Sequence, residues 1–177
     1  MTLYRVELRE AVAAAIVAAS TDAGPRVFTA MTMPSRAADL PNVYIQSPTD
    51  RAESLNRGPP QFLRTGQISV IARVAASNGP AAEAALDVLS EQIELAVLTN
   101  GPLMQMITQV SSMETGIRVN ADTNPVIGEA MMNFFLEWIE TYPMPSGSGA
   151  PLTTITGTMQ SGGNADFAGM KVTPPQS

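Results

Sequence analysis

Apolar residues recur along the first twenty positions at the spacing of a helix. Leu8, Val12, Ile16 and Ala19 fall at steps of four and three, with Val6, Ala13 and Val17 beside them, while Arg5, Arg9 and Glu10 take the other side. This pattern predicts an amphipathic helix over 3–20. Its alanine run has high helix propensity, and Asp22-Ala-Gly-Pro25 supplies the stop. The segments 26–33 and 42–46 are short, rich in β-branched and aromatic residues, and bounded by Pro34, Pro41 and Pro48, which predicts two strands. A polar loop is expected over 49–60. From 62 to 76 the period changes to two, with Ile68, Val70, Ala72 and Val74 on one face, as in a long strand with a buried side.

Asn78-Gly-Pro80 then reads as a helix start, with Asn78 or Gly79 as cap and Pro80 in the first turn. Leu86, Leu89, Ile93 and Val97 form its apolar stripe, and Asn100-Gly101-Pro102 closes it. Residues 103–108 suit either a helical turn or a strand start. A strand is expected over 110–119, with Gly116 marking a bulge. The segment 127–142 is apolar in nearly every direction when wound as a helix. As a strand it separates Ala130, Met132, Phe134, Leu136 and Trp138 from a face carrying Glu129, Met131, Asn133, Phe135, Glu137 and Ile139. The strand sorts the charges better and is the expectation.

Beyond 142 the pattern stops. Residues 143–177 contain six Gly and five Pro, too many for the segment to offset its ordering entropy with buried apolar surface. One exception is 152–159, Leu-Thr-Thr-Ile-Thr-Gly-Thr-Met, which suits an extended strand against another subunit. The organisation expected is therefore a domain over 1–142 and a Gly/Pro-rich extension over 143–177, the latter less protected from proteolysis. The domain is of the α/β sandwich class: an antiparallel or mixed sheet of four to five strands, with two helices packed on one face because each helix has a single apolar stripe.

Composition narrows the chemistry. The chain of 177 residues has no His and no Cys. Imidazole acid–base schemes and thiolate nucleophiles are excluded, as are disulfides and zinc cages built on sulfur or nitrogen. Lys171 is the only lysine and stands in the Gly/Pro-rich extension; no Gly-x-x-x-x-Gly-Lys run exists. Only carboxylate chemistry survives, alone or with a hard metal bound through oxygen. Asp50 with Glu53, or Glu137 with Glu140, are the pairs to consider, but neither spacing brings an orienting third group. Asp122-Thr-Asn124 reads as a turn before Pro125, with too few oxygen ligands for calcium. No metal, no cofactor and no catalytic residue is expected.

The net charge of −6 and a pI near 4.5 argue against nucleic-acid binding as the main activity, because affinity for the phosphate backbone depends on Lys and Arg. No apolar run reaches the roughly 18 residues needed to cross a bilayer, and charges interrupt the N-terminal apolar positions where a signal peptide needs continuity; cytoplasmic synthesis is the expectation. Charged residues are 15% of the chain against about 25% in an average soluble protein. Such a surface is uncharged or covered by neighbours.

The order of elements has a counterpart. The helix 3–20, the Leu40-Pro-Asn-Val-Tyr-Ile strand entry, the polar loop ahead of the strand 62–76, the helix beginning Ala84-Ala-Leu-Asp-Val-Leu-Ser-Glu-Gln-Ile-Glu and the closing strand 130–142 together resemble tail-terminator proteins of long-tailed bacteriophages, the type of the lambda minor tail protein U. The resemblance covers about residues 3–142 and rests on element order and spacing. It implies a structural virion protein without catalytic residues. It further implies a homo-hexameric ring on the head-proximal end of the tail tube, which ends tube polymerisation and presents its other face to a head-completion or connector protein. Genomic DNA would pass through the hole without specific binding, and an acidic wall would repel its phosphates.

Two groups of side chains are candidates for contact. Arg51, Arg57 and Arg64 lie on or beside the loop and are placed to meet a neighbouring subunit's carboxylates; scattered charges on a mobile loop are the plain alternative. Glu83, Asp87, Glu91 and Glu94 form an acidic helix face suited to a lumen or a basic partner, or to solvent alone. The eleven methionines, among them Met104, Met106, Met131 and Met132, are adaptable packing at a core or interface. The functional alternatives are a head-closure or tail-completion connector, also structural, and a carboxylate enzyme or small-ligand domain.

Overall fold

A computed structural model describes residues 3–29, 36–120 and 125–143, together with the backbone of 155–156 and 171–172. The chain divides into two units, Met1–Pro143 and Met144–Ser177. The first runs α1 (Tyr4–Ala18), β1 (Val27–Phe28), a 3-10 turn (Ala37–Asp39), β2 (Asn42–Ser54), β3 (Gln61–Ala76), α2 (Gly79–Leu98), α3 (Gly101–Met106), β4 (Gln109–Asn120) and β5 (Val126–Thr141). In the second, β6 (Ile155–Thr156) pairs antiparallel with β7 (Lys171–Val172). The proposed strand-pairing segment 152–159 lies otherwise outside the described residues, as do Asp122-Thr-Asn124 and positions 30–33 of the expected strand 26–33.

Five strands form one mixed sheet in the order β1-β2-β3-β5-β4, with β1 parallel to β2 and every other pair antiparallel. The alternation in β5 is the clearest link from sequence to packing. Val126, Ala130, Met132, Phe134, Leu136 and Trp138 are buried, whereas Met131 and Ile139 on the other face are exposed. Ile68, Val70, Ala72 and Val74 of β3 and Val43 and Ile45 of β2 extend the same surface. The helices cover it with Leu8, Val12 and Ile16 of α1, with Leu86, Leu89, Ile93 and Val97 of α2, and with Leu103 of the short α3. The expected sheet with helices on one face is therefore present, with a third short helix where 103–108 allowed either element. Asn78 caps α2 by accepting from the Ala81 N–H at 2.9 Å, and Asn100 caps α3 by accepting from Leu103 N–H at 2.9 Å.

Three expectations need correction. The stretch 49–60 is mostly not a loop: β2 runs on through Ser54 and β3 begins at Gln61, leaving a six-residue turn. Beyond Asp50 both faces of the hairpin are near water, so its ladder needs no apolar alternation, and polar residues pair there as readily as in a loop. Pro48 does not end the strand either. The register passes from Gln46↔Ser69 to Thr49↔Gln67, so Ser47 and Pro48 together oppose Ile68 in a bulge, where a missing backbone N–H is tolerated. Finally, the β4 irregularity falls between Val110 and Ser112, and Gly116 is in regular register opposite Met131.

Candidate interaction surfaces

The bulge in β2 decides which side chains meet at the far end of the hairpin. Without it, Asp50 would share a face with Asn42, Tyr44 and Gln46; with it, Asp50 crosses to the helix-covered face. Register then sets Asp50 near Arg64 and Arg64 opposite Trp138, with Glu140 two residues further along the same face of β5. The Arg64 guanidinium donates Nη1 to Asp50 Oδ2 at 2.8 Å and Nη2 to the Tyr142 hydroxyl at 2.9 Å, and its Nε pairs with Glu140 Oε2. Burial opposes the charge on Arg64, but the bonds to Tyr142 and Asp50 and the charges of Asp50 and Glu140 outweigh it, so its pKa is raised further above the ordinary arginine value.

Beside this node lies a cavity of about 160 Å³ lined by Leu3, Tyr4, Arg5, Asp50, Arg64, Trp138 and Glu140. Asp50 Oδ1 and Trp138 Nε1 are buried and have no hydrogen-bond partner among the described residues. The Tyr4 ring stands 5.6 Å from that of Trp138, and its hydroxyl donates to the Met106 carbonyl at 2.6 Å, tying the start of α1 to the end of α3.

The predicted arginines separate. Arg64 is engaged within its own chain. Arg51 is on the helix-free face of β2, exposed, and pairs at 2.8 Å with Glu53 two positions on; Arg57 is exposed in the turn. Arg51 and Arg57 remain available to a neighbour, but an exposed pair such as Arg51–Glu53 contributes little stability. Glu83, Asp87 and Glu91 are exposed on α2 and Glu94 is half-buried. Among the described residues, no group of three or more Asp or Glu is arranged to hold a metal ion, and no helix is long and apolar enough to cross a membrane.

The face without helices carries its own polar ladder. Gln67 donates to Ser69 Oγ at 3.0 Å and to Asn133 Oδ1 at 2.9 Å, and Ser69 Oγ donates to the same Asn133 oxygen at 2.7 Å. Arg73 pairs with Glu129 at 2.7 Å and lies over the Tyr44 ring at 5.6 Å. Sequence reading missed Asp50, Glu140 and Tyr142 as partners of Arg64, because nothing local announces a cross-strand register.

Among the described residues the sheet leaves two long edges, the outer side of β2 beyond Tyr44 and the whole of β4. Among the described residues β4 pairs only with β5, and of its twelve residues only Val110 and Val119 are even half-buried. Met113 and Ile117 point to the helix side of the sheet yet are 37% and 40% exposed, because α2 covers the edge strand only in part. On the opposite face, a shallow cavity of about 270 Å³ opens over Gly116, lined also by Glu114, Arg118, Glu129, Met131 and Asn133. A strand over 110–119 was expected from the sequence, but whether it is an edge depends on strand order.

No family model matches the chain, and no curated protein matches it. Among solved structures, a chain from the virion of a native gene transfer agent (GTA) particle is similar over 76% of this chain and 92% of that one, with 13% identity and a TM-score of 0.31. Likeness at that level assigns no function.

Proposed function

We propose that this chain is a structural protein of a phage-like virion and acts as a tail terminator. Six copies form a ring on the head-proximal end of the tail tube, stop the tube protein from polymerising, and offer a second surface to the head-completion or connector protein. Genomic DNA passes through the opening without specific binding. The role is one of assembly, not catalysis.

The observation that carries this reading is the one-sided sheet. Its second face has no helix among the described residues and exposes Met131 and Ile139, while on the helix side the edge strand β4 leaves Met113 and Ile117 exposed. A subunit whose surface is completed by neighbours has this form. The helix, hairpin, helix, hairpin order over 4–141 supports the resemblance to tail terminators, and the net charge of −6 favours a lumen along which DNA slides.

Electron microscopy of particles from a lysate in which this gene alone is inactivated tests the reading. Overlong, headless tubes are expected. Tails of normal length beside filled, unjoined heads would overturn tail termination and place the protein on the head side of the joint.

A further inference from the structure

The open edge of β4 has a specific complement in its own sequence. On the helix side it presents Met113, Thr115, Ile117 and Val119; on the other face Glu114, Gly116 and Arg118 alternate with them. No ion pair among the described residues uses Glu114 or Arg118. From these positions we infer that β4 pairs antiparallel with β4 of a second copy about a two-fold axis at Gly116, forming a soluble dimer with a continuous sheet.

This register satisfies three independent requirements. Glu114 of each copy falls opposite Arg118 of the other, twice by symmetry, so every charge on that face meets its opposite. On the helix side, Met113 falls opposite Val119 and Thr115 opposite Ile117, which places the exposed methionine and isoleucine against apolar or β-branched neighbours. At the axis itself a residue must meet its own copy, and glycine brings neither charge nor bulk there; a Cβ at Gly116 would have no atom within 4 Å in the single chain. Moving the axis along the same face to Glu114 or Arg118 loses the reciprocal match, because like charges then face each other.

The edge is also long, twelve residues without Pro or Lys, and its one irregularity, between Val110 and Ser112, lies outside the stretch 113–119 that the two copies share, whereas natural edges are commonly kept short or interrupted to prevent open-ended pairing. An isologous contact saturates after two copies, so self-pairing covers both edges and ends there. The inference goes beyond the ring. A two-fold strand pair does not itself generate a sixfold ring, so the dimer is the stored form of the subunit, and its separation precedes assembly on the tube.

Sedimentation of the 177-residue protein tests this without tail tubes. At about 100 μM, well above the micromolar Kd that a small interface supports, a species of twice 18.7 kDa is expected. Glu114→Arg and Arg118→Glu each convert two attractive contacts into two repulsive ones and should weaken the dimer by about tenfold or more. The double variant should restore it. A monomer at that loading, a dimer indifferent to both single changes, or a double variant that stays weak would overturn the inference. A direct six-copy ring without a dimer would overturn it while leaving the terminator reading intact. Should a variant fail to fold, hydrogen exchange of the natural protein decides: protection at 112–120 must rise with concentration, and its failure to do so refutes the pairing.

Discussion

Gly66 occupies a position in β3 where one added methyl group tests the packing of the hairpin end. An alanine Cβ there would stand 2.7 Å from Trp138 Cζ3 and 2.8 Å from Cη2. Carbon atoms in favourable contact are about 3.5–4.0 Å apart, so the indole would have to retreat by roughly 0.7–0.8 Å at least. It has little room: Trp138 is 4% exposed, and the Tyr4 ring lies against it at 5.6 Å. Overpacking of this kind costs about 1–3 kcal/mol, and replacing glycine returns about 0.4–1 kcal/mol by restricting the unfolded chain. Gly66→Ala should therefore destabilise the first unit by about 1–2 kcal/mol net. Gly58→Ala, where the new Cβ meets nothing within 4 Å, should be neutral or slightly stabilising.

The decisive measurement is a double-mutant cycle by urea unfolding followed in far-UV circular dichroism. Trp138→Phe removes the ring atoms that the added methyl group would strike, so Gly66→Ala should be nearly neutral in that background. The coupling should reach about 1 kcal/mol, beyond the few tenths seen between independent sites. Because Trp138 is the only tryptophan, its emission in Gly66→Ala alone also reports the displaced ring. Equal stability of Gly66→Ala and the natural protein, or an undiminished loss in the Trp138→Phe background, would refute the argument.

Two further outcomes follow from the same region. Burial, and secondarily the charge of Glu7, raise the Tyr4 phenol above its usual 10.0. The folded state thus favours the neutral phenol, and this stability, complete below pH 10, is lost as pH rises through the raised value. Tyr4→Phe should lose about 0.5–1.5 kcal/mol near neutrality through the missing bond to Met106, with a flatter decline in melting temperature above about pH 10; superimposable alkaline profiles would count against it. Arg64→Leu leaves Asp50, whose side chain is 10% exposed, and Glu140 without their shared cation. The expected loss is about 2–3 kcal/mol, below the full buried-pair figure because Glu140 is partly solvated, and adding Asp50→Asn and Glu140→Gln should recover much of it in the same urea assay.

Local chemistry set much of this fold in advance. Period two in 126–141 identifies the buried face of β5 residue by residue, since alternation is a property of the strand backbone and one side of the sheet must be dry. The stripe of α2 and its Asn78 cap are equally local, because a helix satisfies its own ladder and needs only a stop, a start and an apolar side. Gly66 and Trp138, by contrast, are 72 positions apart and acquire their close contact only through the β3–β5 register.

The polar half of β2 was opaque for a different reason. A strand with water near both faces has no hydrophobic alternation to show, and only the ladder from β3 makes it one. The bulge at Ser47 and Pro48 then turned Asp50 to the helix side, so Arg64, placed by sequence among residues available to a neighbour, is instead occupied inside its own chain. Strand order likewise left β4 at the sheet edge. Secondary structure follows from residues within a turn or two of one another, whereas faces, edges and ion-pair partners depend on registers between distant segments, and a single bulge exchanges one face for the other.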